Sequence, residues 1–410
     1  GSLCDNIFAM RRTLAAYAGL LALLTALAAA GGVYVYHETG SSDPIESAAD
    51  AHAYSVPRWE FRYLAGKWLY KLGHLFDGHH AAADDLALRR YFALSDEIER
   101  LSRDPAAAGS LEAARRQRRE LENRVENILE GRITALLRDQ GLVMDLPLFS
   151  DIDPVFPPVD LELDSPPRVL AVSPRDRIEL QRSYLLAPGL DLAAVTSIER
   201  KAEGSSVDPP AGVSALVIPT AGVATYPSVV SSEASYEDLV EDAIHEWTHQ
   251  YLAFYPLGSS YFASDETRTL NETVASIAGR ELARLFFQRY PPPVTPTSAP
   301  PAPSDFDFTA EMRALRRQVE ELLAAGRITD AEALMARKRD EFEAKGIYIR
   351  RLNQAYFAFH GSYAVSPGSI DPIGPKLQAL LERAGSPGAF VRLARGLTSR
   401  ADLDRLLAQG

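Results

Sequence analysis

The stretch EDAIHEWTHQYLAFY, residues 241 to 255, decides how this chain is read. Ser235 upstream is a good N-cap with Asp238 three positions on, and Pro256 stops the run, so a helix is predicted from Tyr236 to about Tyr255. At roughly 100° per residue, Val240, Ile244, Trp247, Tyr251 and Phe254 form one apolar stripe that should face a core. His245 and His249 lie only ~40° apart and nearly opposite that stripe. They therefore face either solvent or a second packed element. Two imidazoles one turn apart can ligate a single divalent ion. Glu246, ~100° further round, can reach a water beside that ion without being a ligand. With eight histidines in the chain, this pattern arises by chance in roughly one chain in a hundred, so a third ligand has to decide.

That ligand is sought in DETRTLNETVASIAGRELARLFF, residues 265 to 287, which reads as a second helix. Glu272 shares a face with Ser276, Gly279 and Ala283, with Ala275 to one side. Small residues there would let the first helix approach closely. Two histidines, one glutamate and an open position make a four-coordinate catalytic zinc site, one Zn2+ per chain. Other readings stay open. Glu272 could pair with Arg268 one turn away, Glu266 could be the ligand instead, and His79 and His80 in the apparent loop DGHH could bind metal.

HEWTH followed by LNETVAS resembles the gluzincin pattern of thermolysin and of the aminopeptidase-N-like enzymes, HExxH with a downstream glutamate on the next helix. The resemblance runs from Ser231 to Glu281. It implies a zinc metallopeptidase in which His245, His249 and Glu272 hold zinc and Glu246 is the general base. Ser276 stands where the thermolysin pattern has an aspartate, so the sequence does not name the group that orients the ligand histidines. The resemblance also implies an oxyanion donor, a tyrosine or histidine, from the C-terminal part. RRLNQAYFAFHGSYA, residues 350 to 364, is the candidate segment. As a helix it would place Asn353, Tyr356 and His360 within ~60° of one another, with Tyr363 just beyond. His360 and Tyr363 are the expected donors, and Asn353 and Tyr356 are expected to line the site. A merely solvated polar edge is the alternative.

The fold class expected is α+β and mostly α. Its parts are an N-terminal transmembrane helix, a helical layer, a small sheet, the zincin-like HExxH helix and a helical C-terminal subdomain. Residues 1–9 read as an extension, 10–36 as a membrane anchor or signal, and 37–57 as a polar linker. Residues 58–140 read as three helices, and 141–235 as a small β-containing subdomain with a proline-rich start. Its strands are RVLAVSP, VSALVIPT and GVATYPSVV, with DLAAVTSIERKAE as a helix capped by Asp191. One of the strands before the zinc helix should be an edge to which an extended substrate could add. Residues 236–290 carry the zinc-site helices, 291–305 are a proline-rich loop, and 306–410 are helical again.

The anchor expectation rests on Arg11 and Arg12 followed by an uncharged run from Thr13 to Tyr36. At ~1.5 Å per residue that run spans roughly 36 Å, against a bilayer core of ~30 Å. Acidic residues follow it. The positive-inside rule then predicts a single pass with the N-terminus in and the catalytic part periplasmic or extracellular, secreted if the run is cleaved. The net charge of −12 and the lack of a long basic run argue against a nucleic-acid partner. Glutamates interleave the arginines of RRQRRE at helical spacing, so that run reads as a solvated face. A single cysteine leaves any metal to histidines and carboxylates. The expected function is a membrane-anchored zinc metallopeptidase acting on a peptide or protein. The alternatives are a catalytically inactive zincin-fold interaction protein and a zinc hydrolase of a non-peptide amide or ester.

Overall fold

The computed structural model describes residues 44–60, 62–63, 67, 81–143, 154–204, 212–292 and 306–409. Helix accounts for about 63% of it, beside little strand, in keeping with an α+β, mostly α chain. The expected anchor is corrected. Among the described residues no helix is long and apolar enough to cross a membrane, and the run 13–36 lies outside them. The single-pass topology and the extracytoplasmic placement drew on that run and its flanking charges alone. The longest described helices carry charged residues along their length.

After a short α1 (Pro44–Ala49), a helical hairpin is built from α2 (Ala81–Ser102) and α3 (Ala108–Asp139). Most of the third helix expected between 58 and 80 falls outside the described residues. Two three-stranded sheets follow where one small sheet was expected. The first orders β3 (Arg182–Leu186), β2 (Arg168–Pro174) and β4 (Val213–Pro219), all antiparallel, with Ala171 opposite Leu216. The second orders β1 (Leu161–Asp164), β6 (Ser228–Ser231) and β5 (Gly222–Val223), with β1 and β6 parallel. GVATYPSVV is thus two strands joined by a turn, because Pro227 has no N–H to give a ladder. The strands β1 and β3 were not expected. They are short and lie in polar or proline-flanked sequence.

Helix α4 (Leu192–Glu203) is capped by Asp191 as expected. It carries Glu199 and Glu203 one turn apart, and these accept from Val217 N and Ala215 N on the outer edge of β4. Helix α3 does the same for β1: Glu126 accepts from Leu163 N and Glu130 from Leu161 N. Each helix therefore satisfies alternate N–H groups of an edge strand with carboxylates at i and i+4. Arg350 and Arg351 neutralise the first pair and the buried Lys67 the second. In the second sheet β1 is closed in this way, and β5 forms the other edge.

The remaining elements are helical: α5 (Tyr236–Leu252), α6 (Pro256–Ser259), α7 (Asp265–Arg289), α8 (Phe308–Ala324), α9 (Ile328–Glu343), α10 (Gln354–Gly361), α11 (Ile373–Ala384), α12 (Pro387–Ala394) and α13 (Arg400–Ala408). Ser235 caps α5 through Asp238 N, as expected. Val240, Ile244, Trp247 and Tyr251 are buried in the main core. The helix stops at Leu252, short of the expected Tyr255, so Phe254 leaves the stripe and stands 39% exposed. Gly279 of α7 meets α5 so closely that an added Cβ would sit 3.0 Å from the Glu241 carbonyl oxygen and 3.3 Å from His245 Cβ. The small-residue face therefore does what its composition suggested: it brings the two helices into backbone contact.

Candidate metal centre

Helices α5 and α7 bring His245, His249 and Glu272 together, with a ligand atom of each within 4.8 Å of the others. The two Nε2 atoms are 3.0 Å apart. Glu272 Oε2 lies 3.3 Å from His249 Nε2 and 3.7 Å from His245 Nε2. That oxygen is buried and accepts no hydrogen bond from a described residue. Two imidazole nitrogens and one carboxylate oxygen facing a common point fit a divalent zinc ion as an N2O donor set. The side chains of two competing readings have other partners. Arg268 pairs with Asp265, not with Glu272, and Glu266 accepts from Arg400 N at 2.7 Å. His79 and His80 lie outside the described residues.

The neighbours orient these side chains. His249 Nδ1 is 2.6 Å from Asn271 Oδ1, while the Asn271 amide nitrogen donates to Leu257 O. Asn271 therefore presents an acceptor, His249 donates from Nδ1, and its Nε2 lone pair is left for a metal. Tyr261 donates to Glu272 Oε1 at 2.5 Å. Ser276 bonds back to the Glu272 carbonyl oxygen and orients neither histidine.

Glu246 lies beside the trio under β5. A Cβ on Gly222 would stand 2.8 Å from Glu246 Cγ and Oε1. Burial, followed by the charges of Glu272 and Asp242, pushes the Glu246 carboxyl up to about 8, against the opposing pull of His249. Burial alone would lower His249, but the Glu272 charge lifts it to about 9. Burial would raise Glu272, yet the charge of His249 and the two imidazoles facing its Oε2 hold it well below the usual carboxylate range. His245 is lowered, by burial first.

The C-terminal candidates separate. Tyr363 reaches the centre: it follows α10, and Ala364 N beside it donates to Thr273 Oγ1 of α7. The Tyr363 and His245 ring centroids are 6.4 Å apart, and burial and then the Glu272 charge raise its phenol well above the usual value. His360 packs on Tyr356 at 4.3 Å between centroids, and burial alone lowers it to about 4. Asn353 caps α10 and donates to Ala215 O, so it ties that helix to β4. Tyr356 joins the packing of the α8–α9 hairpin. The expected helical stripe of Asn353, Tyr356 and His360 does not form a wall of the trio, because the helix begins only at Gln354 and packs across β2 and β4.

Sequence reasoning passed over Asn271, Tyr261, Gly222 and Asp242. Asn271 had a signal, adjacency to Glu272 within LNET. Tyr261 and Gly222 had none, since each arrives through a turn. A cavity of about 290 Å³ opens elsewhere, between the start of α7, α8 and α10, lined by Asp265, Thr269, Arg316 and Asp371 among others and by no member of the trio. Compared with known protein families, curated proteins and solved structures, the chain matches none.

Proposed function

We propose that the chain is a zinc-dependent peptide hydrolase. The observation that carries this reading is the convergence of His245, His249 and Glu272 from two helices, with Glu246 buried beside them. Zinc, when bound by the three, supplies Lewis-acid polarisation of a carbonyl and makes a water at the open position acidic. Burial holds the proton on Glu246 up to about pH 8 in the absence of a cation. A divalent ion held by the trio would lower it, so that Glu246 could take a water's proton and hand it to the leaving amine. Tyr261 and Tyr363 are held protonated by burial and by Glu272. The one Tyr261 proton is committed to Glu272 Oε1, so Tyr363 is the donor suited to the charge that develops on the carbonyl oxygen. The short strand β5 is the sheet edge beside Glu246, where an extended peptide can add by backbone hydrogen bonds.

The test is metal content and hydrolysis on the full chain. One zinc per chain is expected, retained in Glu246→Gln, whose peptide hydrolysis falls by about 10²–10⁴-fold. A Glu246→Gln variant as active as the parent would overturn the reading. So would a chain that binds zinc and cleaves no member of a broad peptide library.

A further inference from the structure

Asp242 occupies a position the mechanism above does not use. At roughly 100° per residue, with Glu246 as origin, His249 lies about 60° and His245 about 100° to one side, and Asp242 about 40° to that same side. Asp242 thus falls on the arc of α5 that bears the catalytic groups, one turn nearer the N-terminus, about 6 Å along the axis. Its carboxylate is near enough to raise Glu246 by its charge.

The neighbouring acids have partners. Glu241 is near Arg280, Asp238 accepts from Ser235 Oγ, and Glu272 faces both histidines. Asp242 makes no hydrogen bond or ion pair to another described residue, and the charges acting on it, Asp238 and Glu241, are both negative. Burial and those two charges push it up to about 7. A half-buried carboxylate with no counter-charge among the described residues is unfavourable by itself and becomes favourable when a cation arrives.

We propose that Asp242 is a specificity-determining residue, receiving a cationic group of the substrate, an ammonium or guanidinium, one helical turn from Glu246. The inference rests on the peptidase reading and adds a substrate class to it. The cation can come from a free α-amino group or from a lysine or arginine side chain, and the experiment separates the two.

On the zinc-loaded full chain, kcat/KM is measured for peptide pairs that differ in one charge: free against acetylated amino terminus, lysine against norleucine, arginine against citrulline. In parallel, dissociation constants for the same pairs are measured by calorimetry on Glu246→Gln. A cationic member is expected to be favoured about tenfold in both readouts. Asp242→Asn and Asp242→Ser bring the ratio to about one, and Asp242→Glu keeps a preference. A ratio that follows acetylation assigns the α-amine, and one that follows the side-chain pairs assigns lysine or arginine. Zinc content and melting temperature confirm that the variants are folded. No charge preference in the parent, or one that survives in both neutral variants, overturns the inference while leaving the peptidase intact. Cation-selective binding without any hydrolysis overturns the peptidase reading and leaves the Asp242 site standing.

Discussion

Replacing Gly222 by alanine probes the contact between β5 and the base. The new methyl would stand 2.8 Å from Glu246 Cγ and Oε1 and 2.8 Å from the Val229 carbonyl oxygen. Ordinary contact begins near 3.4 Å, so roughly 0.6 Å must be found. Val229 is backbone of the paired strand β6 and gives little. The carboxylate of Glu246, or β5 itself, has to move. Overpacking of this kind costs about 1–3 kcal/mol, and an ångström of misplacement at a reacting group costs ~100-fold in rate. A shift of about half that predicts a kcat roughly ten- to a hundredfold lower. Zinc should be retained, because Glu246 is not among the ligands. The assay is kcat on a cleaved peptide together with zinc stoichiometry by mass spectrometry. Gly279→Ala is the contrasting control: its methyl would meet the Glu241 carbonyl oxygen at 3.0 Å, pushing α5 from α7 and weakening zinc binding first. A Gly222→Ala chain with unchanged kcat, or one that loses zinc while Gly279→Ala keeps it, would refute the placement of β5 on Glu246.

Three further outcomes are expected. Asn271→Ala frees His249 Nδ1 and should weaken zinc about 10–100-fold in a chelator competition titration, with hydrolysis at saturating zinc affected less. Lys67→Met strands Glu126, Glu130, Asp160 and Glu162 without their shared cation and should cost about 3–5 kcal/mol in urea unfolding; an unchanged midpoint would show that the cluster contributes nothing. Glu162, raised by burial first and then by Glu126 to about 8, holds its proton when folded at pH values where the unfolded chain has lost it. Its contribution to stability is therefore full below the ordinary glutamate range and is lost as pH rises through about 8. Melting temperature should fall from pH 5.5 to 8.5 more in the parent than in Glu162→Gln, and equal falls would contradict the assignment.

What could be read locally was read well. The caps at Ser235 and Asp191, the stripe of α5 and the small-residue face around Gly279 all follow from short-range rules and reappear in the structure. Errors came where local pattern is ambiguous. The run RRQRRE of α3 is largely exposed, as its interleaved charges suggest, but further along the same helix Glu126 and Glu130 are buried against β1. A strand edge and water both offer hydrogen-bond partners to a carboxylate, and periodicity cannot tell them apart. In the segment 350 to 364 helical spacing groups Asn353, Tyr356 and His360 and leaves Tyr363 just beyond, and it does not choose between His360 and Tyr363 as the donor. The helix ends at Gly361, and only Tyr363, carried on by the turn and anchored through Ala364 to Thr273, comes to Glu272.

The sequence by itself determined that His245 and His249 share one face, that Glu246 stands beside them, and that Glu272 projects from a face small enough to pack closely. These are consequences of 3.6 residues per turn and of side-chain size. Only the tertiary structure decided that the two faces meet, that Asn271 and Tyr261 hold His249 and Glu272, that β5 lies over Glu246, and that Asp242 has no cationic partner among the described residues. Those facts depend on turns and on contacts between residues far apart in the chain, whose geometry no local repeat encodes.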